Sequence, residues 1–181
     1  MRKLTEDETR LVFEKLAKFI GGNLRHLVER PDEKYCFRMH KTRLFYMSEN
    51  QLRRVTPLPR KQLVASGVCF GKFTKSGKFQ LQITALPYLA QFALNKVVVN
   101  SQGEMTFTYG QSLSKGHVEH MTEGAPVNAG VVVFNEHEDA LGFGVLVKGS
   151  MEFRHADNED LIVIWQSDIG EYLRTFEDQE L

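Results

Sequence analysis

The sequence predicts an α+β fold in two parts, a mixed α/β first part followed by a strand-rich second part. Three observations carry that expectation. A capped helix signal and two alternating hairpins fill the first half. Four mostly apolar runs, at 96–99, 131–134, 141–147 and 161–165, dominate the second, and three are rich in β-branched residues. The halves also differ in charge. Residues 1–94 hold 18 Lys/Arg against 8 Asp/Glu, a net of +10, and residues 95–181 hold 5 against 15, a net of −10. Such asymmetry suits a polyanionic partner for the basic half, or attraction between the halves themselves.

Taken in order, Thr5 and Glu8 have the spacing of a capping box, with Glu6 and Asp7 placed to favour the helix dipole. Val12, Leu16, Phe19 and Ile20 follow at helical spacing, and Gly21-Gly22 stops the helix. Leu24, Leu27 and Val28 add a helical turn before Pro31. Alternation over 35–40 predicts a strand, Lys41-Thr42 a turn, and 44–47 the returning strand. Ser48 caps a short helix through Val55, which Thr56-Pro57-Leu58-Pro59 breaks. A second hairpin joins 68–73 to 78–83 around Thr74-Lys75-Ser76-Gly77. Thr84 is then expected to cap a helix through Leu94, with Pro87 in its first turn. These elements place a first domain over 1–94 and a second over 95–174, with an acidic tail over 175–181 that is expected to be disordered from Glu177.

Composition excludes several classes. With 42% apolar residues in 181, the chain can bury one large or two small cores. No apolar run approaches the roughly 20 residues of a membrane-spanning helix. The polar, acidic stretch from Thr5 to Arg10 shows no apolar core of a secretory signal, so none is expected there. Cys36 and Cys69, the only cysteines, suit a reducing compartment. No sustained heptad or long unexplained apolar face is present, so a monomer is expected.

Candidate chemistry concentrates in two places. The stretch Phe70-Gly71-Lys72-Phe73-Thr74-Lys75-Ser76-Gly77-Lys78-Phe79 superficially looks like a P-loop, but five residues separate its outer glycines and Phe79 replaces the Mg²⁺-binding hydroxyl. It reads better as a basic hairpin. Alternation puts Phe79, Leu81 and Ile83 on one face and Lys78 on the other, where Lys72 and Lys75 can join it. The bland alternative is a solvated hairpin whose lysines block edge pairing. Arg53-Arg54 and Arg60-Lys61 add charge around the proline turn and read first as a solvated face. Tyr35, Phe37, Phe45 and Tyr46 lie among basic residues as a stacking platform would, but alternating aromatics favour the core. The second place is the loop from Tyr109 to Val118, with Gly110 and Gly116 near its ends and Lys115 between them. Its glycines can offer bare N–H groups to an anion. His117 and His120 lack further ligands at zinc spacing, no nucleophile or dinucleotide motif is present, Glu136, Glu138 and Asp139 form a solvated turn, and Trp165 belongs to the core.

That second-half pattern of glycine loop, apolar strand, turn and Gly142-x-Gly144 strand resembles a PUA domain, a small RNA-binding β-barrel. Leu4-Thr5-Glu6-Asp7-Glu8-Thr9, the hairpin stretch 70–79, and Gln166-Ser167-Asp168-Ile169-Gly170-Glu171-Tyr172-Leu173-Arg174 resemble the Nip-seven family of 60S ribosome-subunit biogenesis factors, from Met1 to about Arg174. The resemblance implies an N-terminal α+β domain followed by a PUA-like β-barrel. It implies a nuclear and nucleolar, non-enzymatic RNA-binding factor without a cofactor. Its partners would be pre-rRNA and other 60S pre-ribosome assembly factors. By resemblance Gly110, Lys115 and Gly116 would meet RNA, although Gln111-Ser112 stands where the family pattern has Asn-His. Lys148 and Arg154 are the other basic groups on or near the barrel strands, beside Lys72, Lys75 and Lys78 in the first domain. Five Lys/Arg across the whole second half are sparse for phosphate binding. That keeps open an alternative, a protein–protein adaptor that uses its acidic half. A further alternative, an RNA-modifying enzyme, finds no placed nucleophile in the first domain.

Overall fold

The computed structural model describes residues 1–59 and 61–177. Arg60 and residues 178–181, most of the expected acidic tail, lie outside the described residues; Glu177 closes the last helix. Contacts divide the chain into two compact units, the first ending at Tyr88 and the second starting at Leu89.

In the first unit, α1 (Glu6–Ile20) begins at the expected capping box. Thr5 Oγ1 accepts from the Glu8 N–H at 3.2 Å, and Glu8 Oε2 accepts from the Thr5 N–H at 2.9 Å. Arg2 adds two guanidinium bonds to the same carboxylate, at 2.7 and 2.6 Å. Val12, Leu16, Phe19 and Ile20 are buried, and Gly21, at φ 51°, ends the helix. The Arg2 hydrogen bond holds the Glu8 carboxyl down at about 2, below its ordinary 4.5. A folded pKa below the unfolded one gives stability that is present above about pH 4.5 and is lost as pH falls towards 2. Acid titration of the fold by circular dichroism should show this loss. Glu8→Gln should flatten it and cost about 1 kcal/mol at neutral pH.

After α2 (Leu24–Val28) come β1 (Tyr35–His40), β2 (Arg43–Ser48), α3 (Glu49–Val55), β3 (Val68–Phe73) and β4 (Phe79–Leu81). The strands form one antiparallel sheet in the order β1-β2-β3-β4. Ser48 and Gln51 make the second capping box, as expected. Phe37, Phe45 and Tyr46 are buried, and Tyr35 stacks on Tyr46 at 4.9 Å, so these aromatics build the core rather than a platform. Thr84 departs from expectation. Its hydroxyl donates to the Cys69 carbonyl, in β3, and the turn over Ile83–Ala85 that leads into α4 (Leu86–Phe92) has no side-chain cap. A hydroxyl reachable by a neighbouring strand's carbonyl need not serve the local backbone. Cys36 and Cys69 are free thiols, each pushed up chiefly by burial.

The second unit contains β5 (Lys96–Val99), α5 (Ser101–Thr108), β6 (Leu113–Ser114), β7 (Val118–Met121), β8 (Gly130–Phe134), β9 (Ala140–Leu146), α6 (Ser150–Phe153), β10 (Leu161–Asp168) and α7 (Glu171–Glu177). Sheet order is β6-β10-β9-β8-β5-β7, with only the β5–β8 pair parallel. The two outermost strands, β6 and β7, are joined by the single turn Lys115–His117. So short a link forces the sheet to curl until its edges approach, giving a nearly closed barrel. Val97, Val99, Phe107, Val131, Val133 and Ile162 fill it. β9 lies so close to β10 that a Cβ on Gly142 or Gly144 would collide with the Ser167 or Ile164 carbonyl oxygen. That contact explains the Gly-x-Gly strand.

Candidate nucleic-acid interface

The β3–β4 hairpin forms where the sequence placed it. Phe79, Leu81 and Ile83 are buried beneath it, while Lys72, Lys75 and Lys78 are exposed. Its tip is held by the sequence itself. The Thr74 N–H donates to the Lys78 carbonyl at 2.9 Å, the Lys78 N–H donates to Thr74 Oγ1 at 3.1 Å, and Gly77, at φ 76°, supplies the left-handed turn residue.

Register enlarges this patch. His40 lies opposite Arg43, Arg43 opposite Lys72, and Lys72 opposite Gln80, so one row crosses all four strands. Cross-strand partners share a face, and Lys78, two residues before Gln80, shares it too. His40 is buried; Arg43, Lys72, Lys78 and Gln80 are exposed. Lys41, at φ 54°, occupies the β1–β2 turn at the same end of the sheet. Among the described residues, none of Lys41, Arg43, Lys72, Lys75 and Lys78 forms a salt bridge. Sequence reading missed Lys41 and Arg43. The two-residue turn hints that Arg43 faces His40, but the β2–β3 pairing that sets Arg43 beside Lys72 spans a long connection with no local signal.

The cations of the second unit are differently placed. Lys115 Nζ donates to the Ala156 carbonyl at 2.6 Å and lies 5.4 Å from the Phe153 ring. Lys148 pairs with Asp160 at 2.6 Å and holds that carboxyl below the usual range. Arg154 pairs with Glu123 at 3.2 Å. Lys96 lies over the Phe134 ring at 5.3 Å, and Arg174 pairs with Asp168 at 2.7 Å. All five Lys/Arg of this half therefore have partners inside it.

The glycine loop also differs from expectation. Gly110 is left-handed, at φ 81°, but its N–H donates to the Phe107 carbonyl. The N–H groups of Gln111, Lys115 and Gly116 donate to Thr106, Asp160 and Asn158 carbonyls. None of these four is bare for an anion. The Gly116 carbonyl accepts from Asn100 Nδ2 at 2.9 Å. The end of α5 takes up the first two of the four N–H groups, and closure of the barrel along the 158–160 stretch takes up the other two. Trp165 is half-buried against the core, its Nε1 donating to Asp168. The 136–139 turn is organised by Asn135 Oδ1, which accepts from the N–H groups of His137 and Asp139. Among the described residues no group of three or more His, Cys, Asp or Glu is placed to hold a metal ion, and no helix is long and apolar enough to cross a membrane.

A four-stranded α+β unit followed by a nearly closed six-stranded barrel, with glycine loop and Gly-x-Gly strand, defines a PUA-domain protein. Residues 1–83 match the NIP7/UPF0113 pre-PUA domain, and residues 95–177 match the UPF0113 PUA domain. The chain belongs to the NIP7 family. It is 46% identical over 174 residues to the 60S ribosome subunit biogenesis protein nip7 of Schizosaccharomyces pombe, covering 96% of this chain and 97% of that one. The NIP7 homologues of Dictyostelium discoideum and Mus musculus are each 47% identical over the same shares. Among solved structures, a conserved PUA domain protein from Thermoplasma acidophilum matches with a TM-score of 0.52 at 14% identity, over 97% of this chain and 98% of that one. A hypothetical protein from Pyrococcus horikoshii OT3 matches with a TM-score of 0.55 at 13% identity, over 93% and 96%. At that identity the likeness is one of fold.

Proposed function

We propose that this chain is a non-enzymatic, RNA-binding assembly factor for the 60S ribosomal subunit, acting on pre-rRNA in the nucleus and nucleolus beside other assembly factors. The relatives' names support the process. The observation that carries RNA contact is the face of salt-bridge-free cations on the first unit. Lys72, Lys75 and Lys78 neutralise phosphates there. In the second unit, Gly110, Lys115 and Gly116 shape the barrel seam, Lys148 braces it through Asp160, and Arg154 pairs with Glu123 at the surface. Direct RNA contact by those three cations requires exchange of their present partners. The chain works as a monomer.

Changing Lys72, Lys75 and Lys78 together to Glu tests this reading. For single strands, log K falls by roughly 0.7 per phosphate contact per decade of salt. The triple variant should bind pre-rRNA fragments more weakly across sequences, with a salt slope lower by about 2 if all three touch phosphate. An unchanged slope with a lower melting temperature would assign the lysines to packing instead. A second reading, an acidic adaptor for basic proteins, is favoured by the −10 half whose cations are all engaged. Capture of assembly factors that survives nuclease treatment supports it.

A further inference from the structure

Five cations of the first unit occupy two surfaces that meet at an edge. Arg43, Lys72 and Lys78 lie on a face of the sheet, within a row that spans about 10 Å from β2 to β4. Lys41 and Lys75 lie on the two hairpin tips, past the end of the strands. Antiparallel pairing brings both tips to the same end, because Arg43, at the start of β2, sits opposite Lys72, near the end of β3. Both surfaces are exposed, and no carboxylate pairs with any of the five among the described residues.

We propose that this edge binds a single-stranded RNA segment that passes over the hairpin tips and turns onto the sheet face, with Arg43 as a phosphate contact. The proposal rests on the RNA-binding reading of this unit. Its class of ligand follows from stiffness. A nucleic-acid duplex is straight over distances far longer than this patch, with a persistence length of about 150 base pairs for DNA. It can lie along the face or across the tips, but it cannot follow the corner between them. A single strand bends within a few nucleotides and reaches all five cations. Arg43 adds a planar fork suited to phosphate oxygens, which the lysines lack.

The full chain is titrated with a short mixed-sequence RNA, as a single strand and as a duplex of the same length, across a salt series. The single strand should bind at least about tenfold tighter, and with a steeper salt slope, because it neutralises more cations. Arg43→Gln should lower the single-strand slope by about 0.7, and Lys41→Ala with Lys75→Ala by about 1.4. Thermal unfolding should be unchanged in these exposed variants, which separates lost contact from lost fold. Equal affinity and slope for the duplex would overturn the single-strand assignment and leave the RNA reading standing. An Arg43→Gln slope equal to wild type, beside a reduced slope for the triple lysine variant, would overturn the path across the face. Binding of neither RNA would overturn this proposal and the RNA reading together.

Discussion

Asp168→Ala should destabilise the second unit by about 2–3 kcal/mol, the range for leaving buried donors without their acceptor, because the carboxylate is buried while its partner Arg174 is partly exposed. The carboxylate has no exposure, and four groups converge on this residue. Oδ2 accepts from Trp165 Nε1 at 2.6 Å and from Arg174 Nη2 at 2.7 Å, Oδ1 accepts from the Gly170 N–H at 2.7 Å, and the Asp168 N–H donates to Glu171 at 3.3 Å. Arg174 Nη1 also donates to the Thr108 carbonyl at 2.6 Å, so the cluster ties the start of α7 to the end of α5. Alanine leaves a guanidinium, an indole N–H and a backbone N–H without their acceptor. Asp168→Asn should fare little better, because the new amide nitrogen would turn a donor towards either Gly170 or the Trp165–Arg174 pair. Denaturant unfolding measures the loss. Trp165 is the only tryptophan, so its fluorescence reports on the altered site directly. A cost under about 1 kcal/mol would show that water takes over these bonds.

This cluster also marks what the sequence does and does not display. Residues 166–174 carry a recognisable pattern, but nothing in their spacing says that Asp168 is buried or that Arg174 reaches Thr108. Local rules succeed where the partners are local. The Thr5–Glu8 and Ser48–Gln51 boxes, the Lys41-Thr42 turn and the Thr74–Lys78 tip all close within a few residues. They fail where a distant strand competes. Thr84 serves the Cys69 carbonyl, and the Lys115 and Gly116 N–H groups serve carbonyls at Asp160 and Asn158. The candidate site follows the same division. Its lysines at 72, 75 and 78 were legible as one hairpin, whereas Arg43 joined them only through β2–β3 pairing. The second-half cations showed their number in the sequence but not their partners, since Asp160 and Glu123 lie 12 and 31 residues from Lys148 and Arg154.

The sheet that presents the cationic row depends on one residue of its central strand. Tyr46 is 1% exposed, and its ring meets Tyr35, Phe37, Phe70 and Tyr88 at centroid distances of 4.9, 5.2, 5.0 and 5.1 Å. Its hydroxyl donates to the Leu27 carbonyl at 2.5 Å, near the end of α2, where a helix carbonyl has no partner within the helix. Burial pushes the phenol up to about 12, so it stays a donor throughout the neutral range. Tyr46→Ala should cost the first unit about 3–5 kcal/mol, the range for emptying an aromatic site in a core. Tyr46→Phe keeps the ring contacts and should cost about 1–2 kcal/mol, the hydrogen bond plus a buried carbonyl left without its donor. Urea unfolding followed by near-ultraviolet circular dichroism of the tyrosines separates the two contributions. Equal costs for the two variants would place the whole effect in the hydroxyl and none in the ring packing. Because Tyr46 shares β2 with Arg43, Tyr46→Ala should also weaken RNA binding as the sheet loosens, whereas Tyr46→Phe should leave the salt slope intact.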